Sequence, residues 1–172
     1  EFRDIEIKNA YRDFVGGGIL DEETMLKFVN AIGRDNARFP MHWDDSDNAG
    51  FTTGTPWISV NENYKKINAA AQVNDPDSIF SYYKKLIELR HQMEIIVYGV
   101  YKSKAIEHPD VFAYTRTLGD EKLFVVCNFR EQEMDFTLED GFTGDEKVLI
   151  SNYDDVVITE NGIYLRPYEA KV

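Results

Sequence analysis

Two hydrophobic periods divide the chain, and the change from one to the other falls near residue 94. In "RDIEIKNAYRDFV", apolar side chains at Ile5, Ile7, Tyr11, Phe14 and Val15 recur at helical spacing, which predicts a first helix ended by the glycines Gly16 to Gly18. "DEETMLKFVNAI" predicts a second, with Asp21 as N-cap, acidic residues in the first turn, a stripe through Met25, Phe28, Val29 and Ile32, and Gly33 just past the end. From Arg34 to about Ala69 neither period is present, an unusual length for a loop in a compact domain without functional use. "NDPDSIFSYYKKLIELRHQME" resumes helical spacing, with Asp75 as cap, Pro76 at the first helical position, and Ile79, Tyr82, Tyr83, Leu86, Leu89 and Met93 on one broad face.

After Met93 the runs become short and β-rich: "IIVYGVYKS", "VFAYTRTL", "KLFVVCNF", "MDFTL", "KVLISNY", "VVITE" and "GIYLRPYEAKV". Between them lie turn segments such as "LGDEK", "REQE", "DGFTGDE", "NYDD" and "ENG", a pattern that predicts an antiparallel sandwich or related all-β module. The expected division is therefore 1–94 and 95–172. No internal repeat or low-complexity tract interrupts it.

Composition narrows the partners. In 172 residues, 43% hydrophobic and 13% aromatic content suits packed structure. The 31 Asp+Glu against 19 Lys+Arg give a net charge of −12, which repels phosphate backbones and anionic lipid, so neither nucleic acid nor membrane is an expected partner. No apolar run reaches the roughly 18 residues of a spanning helix, and no basic start with an apolar h-region marks a secretory signal. The lone cysteine, Cys127, cannot form an internal disulfide and reads as a buried strand thiol, which fits a reducing cytoplasm. A start at Glu1 and not Met hints at a piece of something longer.

The long loop holds most of the candidate chemistry. Asp44, Asp45 and Asp47 fail as a calcium loop: with Asp45 at position 1, Ala49 falls at position 5 and Pro56 at position 12, where the bidentate Glu belongs. A solvated turn cluster is the better reading. His42, His91 and His108 lack metal-site spacing, so no metal is assigned, and His91 is expected on a solvated helix face. Esterase elbows and phosphate-binding glycine loops are missing, and no cofactor is implied. Trp43 and Trp57 are read either as apolar anchors pinning the loop or as platforms for a sugar face, the anchor reading being favoured. Arg34 and Arg38 carry permanent planar forks able to orient a partner acid or substrate hydroxyls; the alternative is a structural ion pair holding the loop.

Taken in order, "GRDNAR", "PMHWDD", "NAGFTTGTPW", "NENYKKIN", "SIFSYYKKLIELR", "NFREQE", "ISNY" and "LRPYEA" resemble the C-terminal third of intracellular α-glucosidases of the α-amylase superfamily, in the group of oligo-1,6-glucosidase, dextran glucosidase and trehalose-6-phosphate hydrolase. The resemblance implies an α+β chain: N-terminal helices and a long loop from the end of a (β/α)₈ barrel, then a C-terminal antiparallel β-sandwich-like domain. It places Glu1 just after the last barrel strand, the long excursion above the barrel mouth, and 76–93 as the last barrel helix. The loop then forms one wall of a sugar pocket. A whole barrel needs on the order of 250 residues, more than this chain has. Retaining glycosidases need a nucleophilic carboxylate and an acid/base carboxyl about 5 Å apart. The family's G-x-R-x-D and N-H-D patterns do not occur here, so no catalytic residue is carried over.

The resemblance assigns Arg38, beside "PM", to fixing the terminal glucose through its hydroxyls, with Arg34 second. Phe39 and His42 stand where the family more often has Thr and Gln, a departure that bears on linkage preference. The leading expectation is a catalytically inert part of a cytoplasmic α-glucosidase whose partner, when intact, is an α-glucosidic oligosaccharide. A free-standing carbohydrate-binding module using Trp43 and Trp57 is the alternative, with a purely structural β-module third. The helix face of Ile79, Tyr83, Leu86 and Leu89 is expected to be covered by the first two helices or by a second copy of the chain.

Overall fold

A computed structural model describes residues 2–138, 141–142, 146–159 and 162–172. Helices come first: α1 (Ile5–Ala10) runs into a π-helical turn (Tyr11–Val15), followed by α2 (Glu22–Ile32), α3 (Ala69–Val73), α4 (Ile79–Gln92) and α5 (Glu94–Tyr98). Among the described residues seven strands follow, β1 (Val100–Lys104), β2 (Val111–Leu118), β3 (Glu121–Asn128), β4 (Met134–Thr137), β5 (Val157–Thr159), β6 (Gly162–Leu165) and β7 (Ala170–Lys171). The chain divides into two compact units, Glu1–Tyr83 and Lys84–Val172, with the division falling inside α4.

In the first unit both leading helices carry the caps that satisfy their free N–H groups. Asp4 accepts from the Glu6 N–H at 3.0 Å, and Asp21 accepts from the Thr24 N–H at 2.8 Å and the Thr24 hydroxyl at 2.7 Å. Ile7, Met25 and Val29 form the buried centre between them, flanked by Phe2, Ala10, Tyr11 and Val15. Gly33 closes α2 by donating to Val29 O at 2.8 Å.

α4 begins at Ile79, three residues later than the sequence pattern predicts. Asp75 does not cap it: its carboxylate accepts the Asp77 N–H at 2.9 Å and folds a separate turn. Ser78 does the capping, its Oγ accepting from the Ser81 N–H at 3.1 Å. α4 buries none of its residues, and Ile79 is 78% exposed. His91 is exposed on this helix.

The second unit is antiparallel throughout its described strands. One sheet has the order β1-β2-β3-β7 and the other β4-β6-β5. Val111 and Ala113 of β2, Val126 of β3, and Ile163 and Leu165 of β6 pack together, so both sheets contribute to one core. On the other face of β3, Leu123 and Val125 pack with Ile95 of α5.

Two of the expected β-rich runs pair less than expected: "IIVYGVYKS" supplies β1 from its second half only, and "KVLISNY" forms no continuous strand. "IIV" forms the turn of α5, where buried Ile95 seats the helix on the sheet and Gly99 N closes it onto Ile95 O at 3.0 Å. "KVLISNY" contributes only a bridge, Ser151 to Lys171, with Leu149 N donating to Val172 O at 2.7 Å. Cys127 on β3 is half-buried, not fully buried, and burial pushes its thiol above the usual range. The turns expected at "DGFTGDE" and "ENG" lie largely outside the described residues, as does Glu1.

Buried charge braces the end of this unit. Glu169 is fully buried. Its Oε2 accepts from Arg166 N at 2.7 Å and Arg166 Nε at 3.1 Å, its Oε1 from Arg166 Nη2 at 3.0 Å, and Lys171 Nζ lies 2.7 Å from Oε1. The Arg166 guanidinium also sits 4.0 Å over the Tyr153 ring and reaches Asp155 at 2.6 Å.

Candidate functional site

A loop without a period needs hydrogen bonds from outside helix and sheet ladders to hold it. Here they come from short turns and from the ends of neighbouring elements. Single 3₁₀ turns occupy Arg34–Ala37 and Glu62–Lys65, and a tight turn with left-handed residues occupies Asp47–Gly50. Asn68 caps α3 by accepting from Ala71 N at 2.9 Å, while its own amide donates to Tyr64 O at 2.8 Å. The first N–H groups of α3 then serve the loop: Ala69 N donates to His42 O and Ala70 N to Trp43 O, both at 2.9 Å.

Between Trp43 and Gly54 the backbone doubles back. Trp43 N donates to Ala49 O at 2.9 Å, and Asn48 Nδ2 donates to Thr52 O and Gly54 O, both at 3.2 Å. Asn48, Ala49 and Gly50 all have left-handed φ, of 52°, 58° and 64°. Asn tolerates that region, Gly favours it and Ala resists it, so Ala49, wholly buried, is a strained residue held by its surroundings. At Gly50 a Cβ would come 2.7 Å from Asp44 Oδ1, so a side chain is doubly excluded. The Ser46 hydroxyl and N–H both donate to Asp44 and hold its carboxyl below the usual range, which makes this acidic cluster a turn device.

Trp43 and Trp57 are 54% and 55% exposed. Within this chain, then, neither indole is deeply buried, and about half of each residue's surface is left for contacts that the described residues do not supply. Phe39, Met41 and Phe51 are exposed beside them in sequence, so the segment presents apolar surface.

The two arginines separate clearly. Arg34 forks onto Asp4, Nε to Oδ2 at 2.9 Å and Nη2 to Oδ1 at 3.0 Å, and Nη2 also lies 3.1 Å from Glu6 Oε2. The fork holds the buried Asp4 carboxyl below the usual carboxylate range and raises the guanidinium in turn. For Arg34 the structural ion pair is what the geometry gives. Arg38 N donates to Asp35 O at 3.1 Å, but its guanidinium makes no hydrogen bond among the described residues; Nη1 stands 3.8 Å from Asp35 Oδ1. Asp35 is itself buried, with Oδ2 accepting from Arg3 N at 2.7 Å and Asp4 N at 3.0 Å, and with Oδ1 buried and lacking a hydrogen-bond partner. Arg38 is thus held near an anion without its donors being consumed.

Asp4 and Asp35 escape a reading by residue type, although Asp35 lies inside "GRDNAR" and Asp4 sits at a cap before a helical pattern. His42 is also set in place. Its Nδ1 lies 3.0 Å from Ile67 O, and since a carbonyl only accepts, the proton of the neutral ring is on Nδ1; Nε2 is buried without a partner. Among the described residues no group of three or more His, Cys, Asp and Glu is placed to hold a metal ion, and no helix is long and apolar enough to cross a membrane.

Comparison with known proteins fits this layout. Residues 11–99 match the family model for the α-amylase catalytic domain, and residues 111–172 that for the α-amylase SusG C-terminal domain. The chain is 51% identical to an oligo-1,6-glucosidase of Parageobacillus thermoglucosidasius, with all of this chain and 31% of that protein aligned. It is 42% identical to a trehalose-6-phosphate hydrolase of Bacillus subtilis strain 168, covering 99% of this chain and 31% of that one. Among solved structures, the isomaltulose synthase SmuA from Protaminobacter rubrum superposes with a TM-score of 0.91 at 43% identity, over 99% of this chain and 31% of that one. The chain thus spans about a third of the length of these relatives. With more than half of its residues matched to the catalytic-domain model and strands β2 to β7 within the match to the C-terminal one, the chain belongs to the α-amylase family, in the group of oligo-1,6-glucosidases and trehalose-6-phosphate hydrolases.

Proposed function

We propose that this chain is the C-terminal part of a cytoplasmic retaining α-glucosidase acting on α-1,6-linked or related short gluco-oligosaccharides, and that it is inert alone. In this reading 1–94 is the last stretch of a (β/α)₈ barrel and 95–172 a sandwich-like β-domain. Arg38 binds the terminal glucose and Arg34 holds the loop. The observation that carries it is the split between the two arginines, one saturated by Asp4 and the other left with donors to give. Asp4 is forked by Arg34, and Asp35 is buried with Oδ2 on two backbone N–H groups, which supports a bracing part for both and not that of nucleophile or acid.

Assay of the isolated chain on isomaltose and on nitrophenyl α-glucoside tests the claim. No turnover is expected; hydrolysis that survives repurification refutes the inert part of the proposal. The exposure of Trp43 and Trp57 also suits a free-standing carbohydrate-binding module. Saturable quenching or enhancement of tryptophan fluorescence by isomaltose in the isolated chain would favour that second reading.

A further inference from the structure

We propose that a cavity in the Lys84–Val172 unit is a binding site for the ring of a neutral sugar, a site that uses neither arginine of the long loop. The cavity, about 280 Å³, is bounded by residues of β1, β2, β3 and β4 and by the connection from β1 to β2. That volume lies near the small end of ligand pockets, which run from about 300 Å³ upward.

Its lining is amphipathic. Phe124 and Phe136 supply an apolar side, with ring centroids 6.2 Å apart and planes inclined by 27°. Polar residues complete it: Lys104, His108, Thr115, Asp135 and Thr137. One cation and one anion share the lining, so a bare anion meets Asp135 and a bare cation meets Lys104. A neutral ligand carrying both donors and acceptors meets no such opposition, and sugar hydroxyls are both. The C–H face of a pyranose supplies the apolar surface that phenylalanine rings accept.

The connection from β1 to β2 is set up before any ligand arrives. His108 Nδ1 accepts from Asp110 N at 3.2 Å and Val111 N at 3.1 Å, so the neutral ring carries its proton on Nε2 and offers a fixed donor there. His108 N in turn donates to Ala105 O at 2.9 Å. Ala105, also in the lining, has φ 52°, a left-handed conformation that an L-residue adopts at a cost. Strain of this kind collects at ligand clamps.

The test is a ¹H–¹⁵N titration of the 172-residue chain with D-glucose and with isomaltose, and with inorganic phosphate as the anionic control. Saturable shifts are expected for amides of 104–111, Phe124 and Phe136 with at least one sugar, and not with phosphate. Thr137→Trp, which fills the lining, should abolish them. His108→Asn keeps an oxygen acceptor for the two backbone N–H groups but removes the Nε2 donor, and should weaken binding about tenfold with the turn amides unmoved. No saturable shift with either sugar, shifts confined to the loop 34–69, stronger binding of phosphate, or unchanged affinity in both variants would each overturn the proposal.

Discussion

Replacing Glu169 by Gln should remove the charge that braces the Lys84–Val172 unit, and the cost should depend on pH in a defined direction. Burial alone drives the Glu169 carboxyl upward, but the donors of Arg166 and the ammonium of Lys171 outweigh it and bring it down to about 2 from an ordinary value of 4.5. A folded-state value below the unfolded one stabilises the native state above pH 4.5, and that stabilisation is lost as pH falls from about 5 toward 2. The difference between 4.5 and about 2 corresponds to roughly 3 kcal/mol at 1.36 kcal/mol per pH unit. Removing one partner of a buried pair costs a similar amount, about 3–5 kcal/mol, because the other charge is left uncompensated. Urea unfolding followed by far-ultraviolet circular dichroism should therefore show Glu169→Gln weaker than the parent chain by about 3 kcal/mol at pH 7. The difference should shrink steadily below pH 5. The double variant Glu169→Gln, Lys171→Met should recover part of the loss, since it removes the stranded ammonium along with the carboxylate. A Glu169→Gln penalty that is the same at pH 7 and pH 3, or one under about 1 kcal/mol at pH 7, would refute the argument.

Arg34→Ala should lower the thermal midpoint clearly, because it strands the buried Asp4 carboxylate, whereas Arg38→Ala should leave it nearly unchanged; equal effects of the two would remove the distinction between a bracing and a binding arginine. Sedimentation equilibrium should show self-association that weakens in Tyr83→Lys, since Ile79 and Tyr83 stand exposed on α4. A strict monomer at all concentrations would dismiss that face as a contact between copies.

The elements legible in the sequence are those in which period, cap and terminator agree. α2 has Asp21 before it, a helical stripe within it and Gly33 after it; β2 alternates through Val111, Ala113 and Thr115, whereas β3 reads as a nearly continuous apolar run because both its faces are covered, Val126 by the core that both sheets share and Leu123 and Val125 by Ile95. Elements were lost where only one signal was present. "IIV" is a short apolar run that fits a strand or a buried helical turn equally well, and contact of Ile95 with Leu123 and Val125 decides for the turn. "KVLISNY" carries strand propensity but meets only the chain end, where a bridge is all the pairing available. At the start of α4, "NDPDS" offers four residues that cap well, Asn74, Asp75, Asp77 and Ser78, and propensity alone cannot rank them.

The site shows the same limit at the level of single residues. Arg34 and Arg38 are alike in type, in motif and in charge; what separates them is a partner thirty positions away in sequence. Asp35 accepts the N–H groups of Arg3 and Asp4 on one oxygen, which brings the Asp4 carboxylate to the start of the same short turn that carries Arg34. Both Asp4 oxygens are then taken by the Arg34 fork. Asp35 keeps its second oxygen buried and unbonded, with the Arg38 guanidinium 3.8 Å away. At that distance the attraction steers Arg38 without fixing its N–H groups in hydrogen bonds. One aspartate thus both secures the bracing pair and leaves the other arginine oriented with donors to spare, an asymmetry that follows from long-range contacts and that no spacing rule within "GRDNAR" contains.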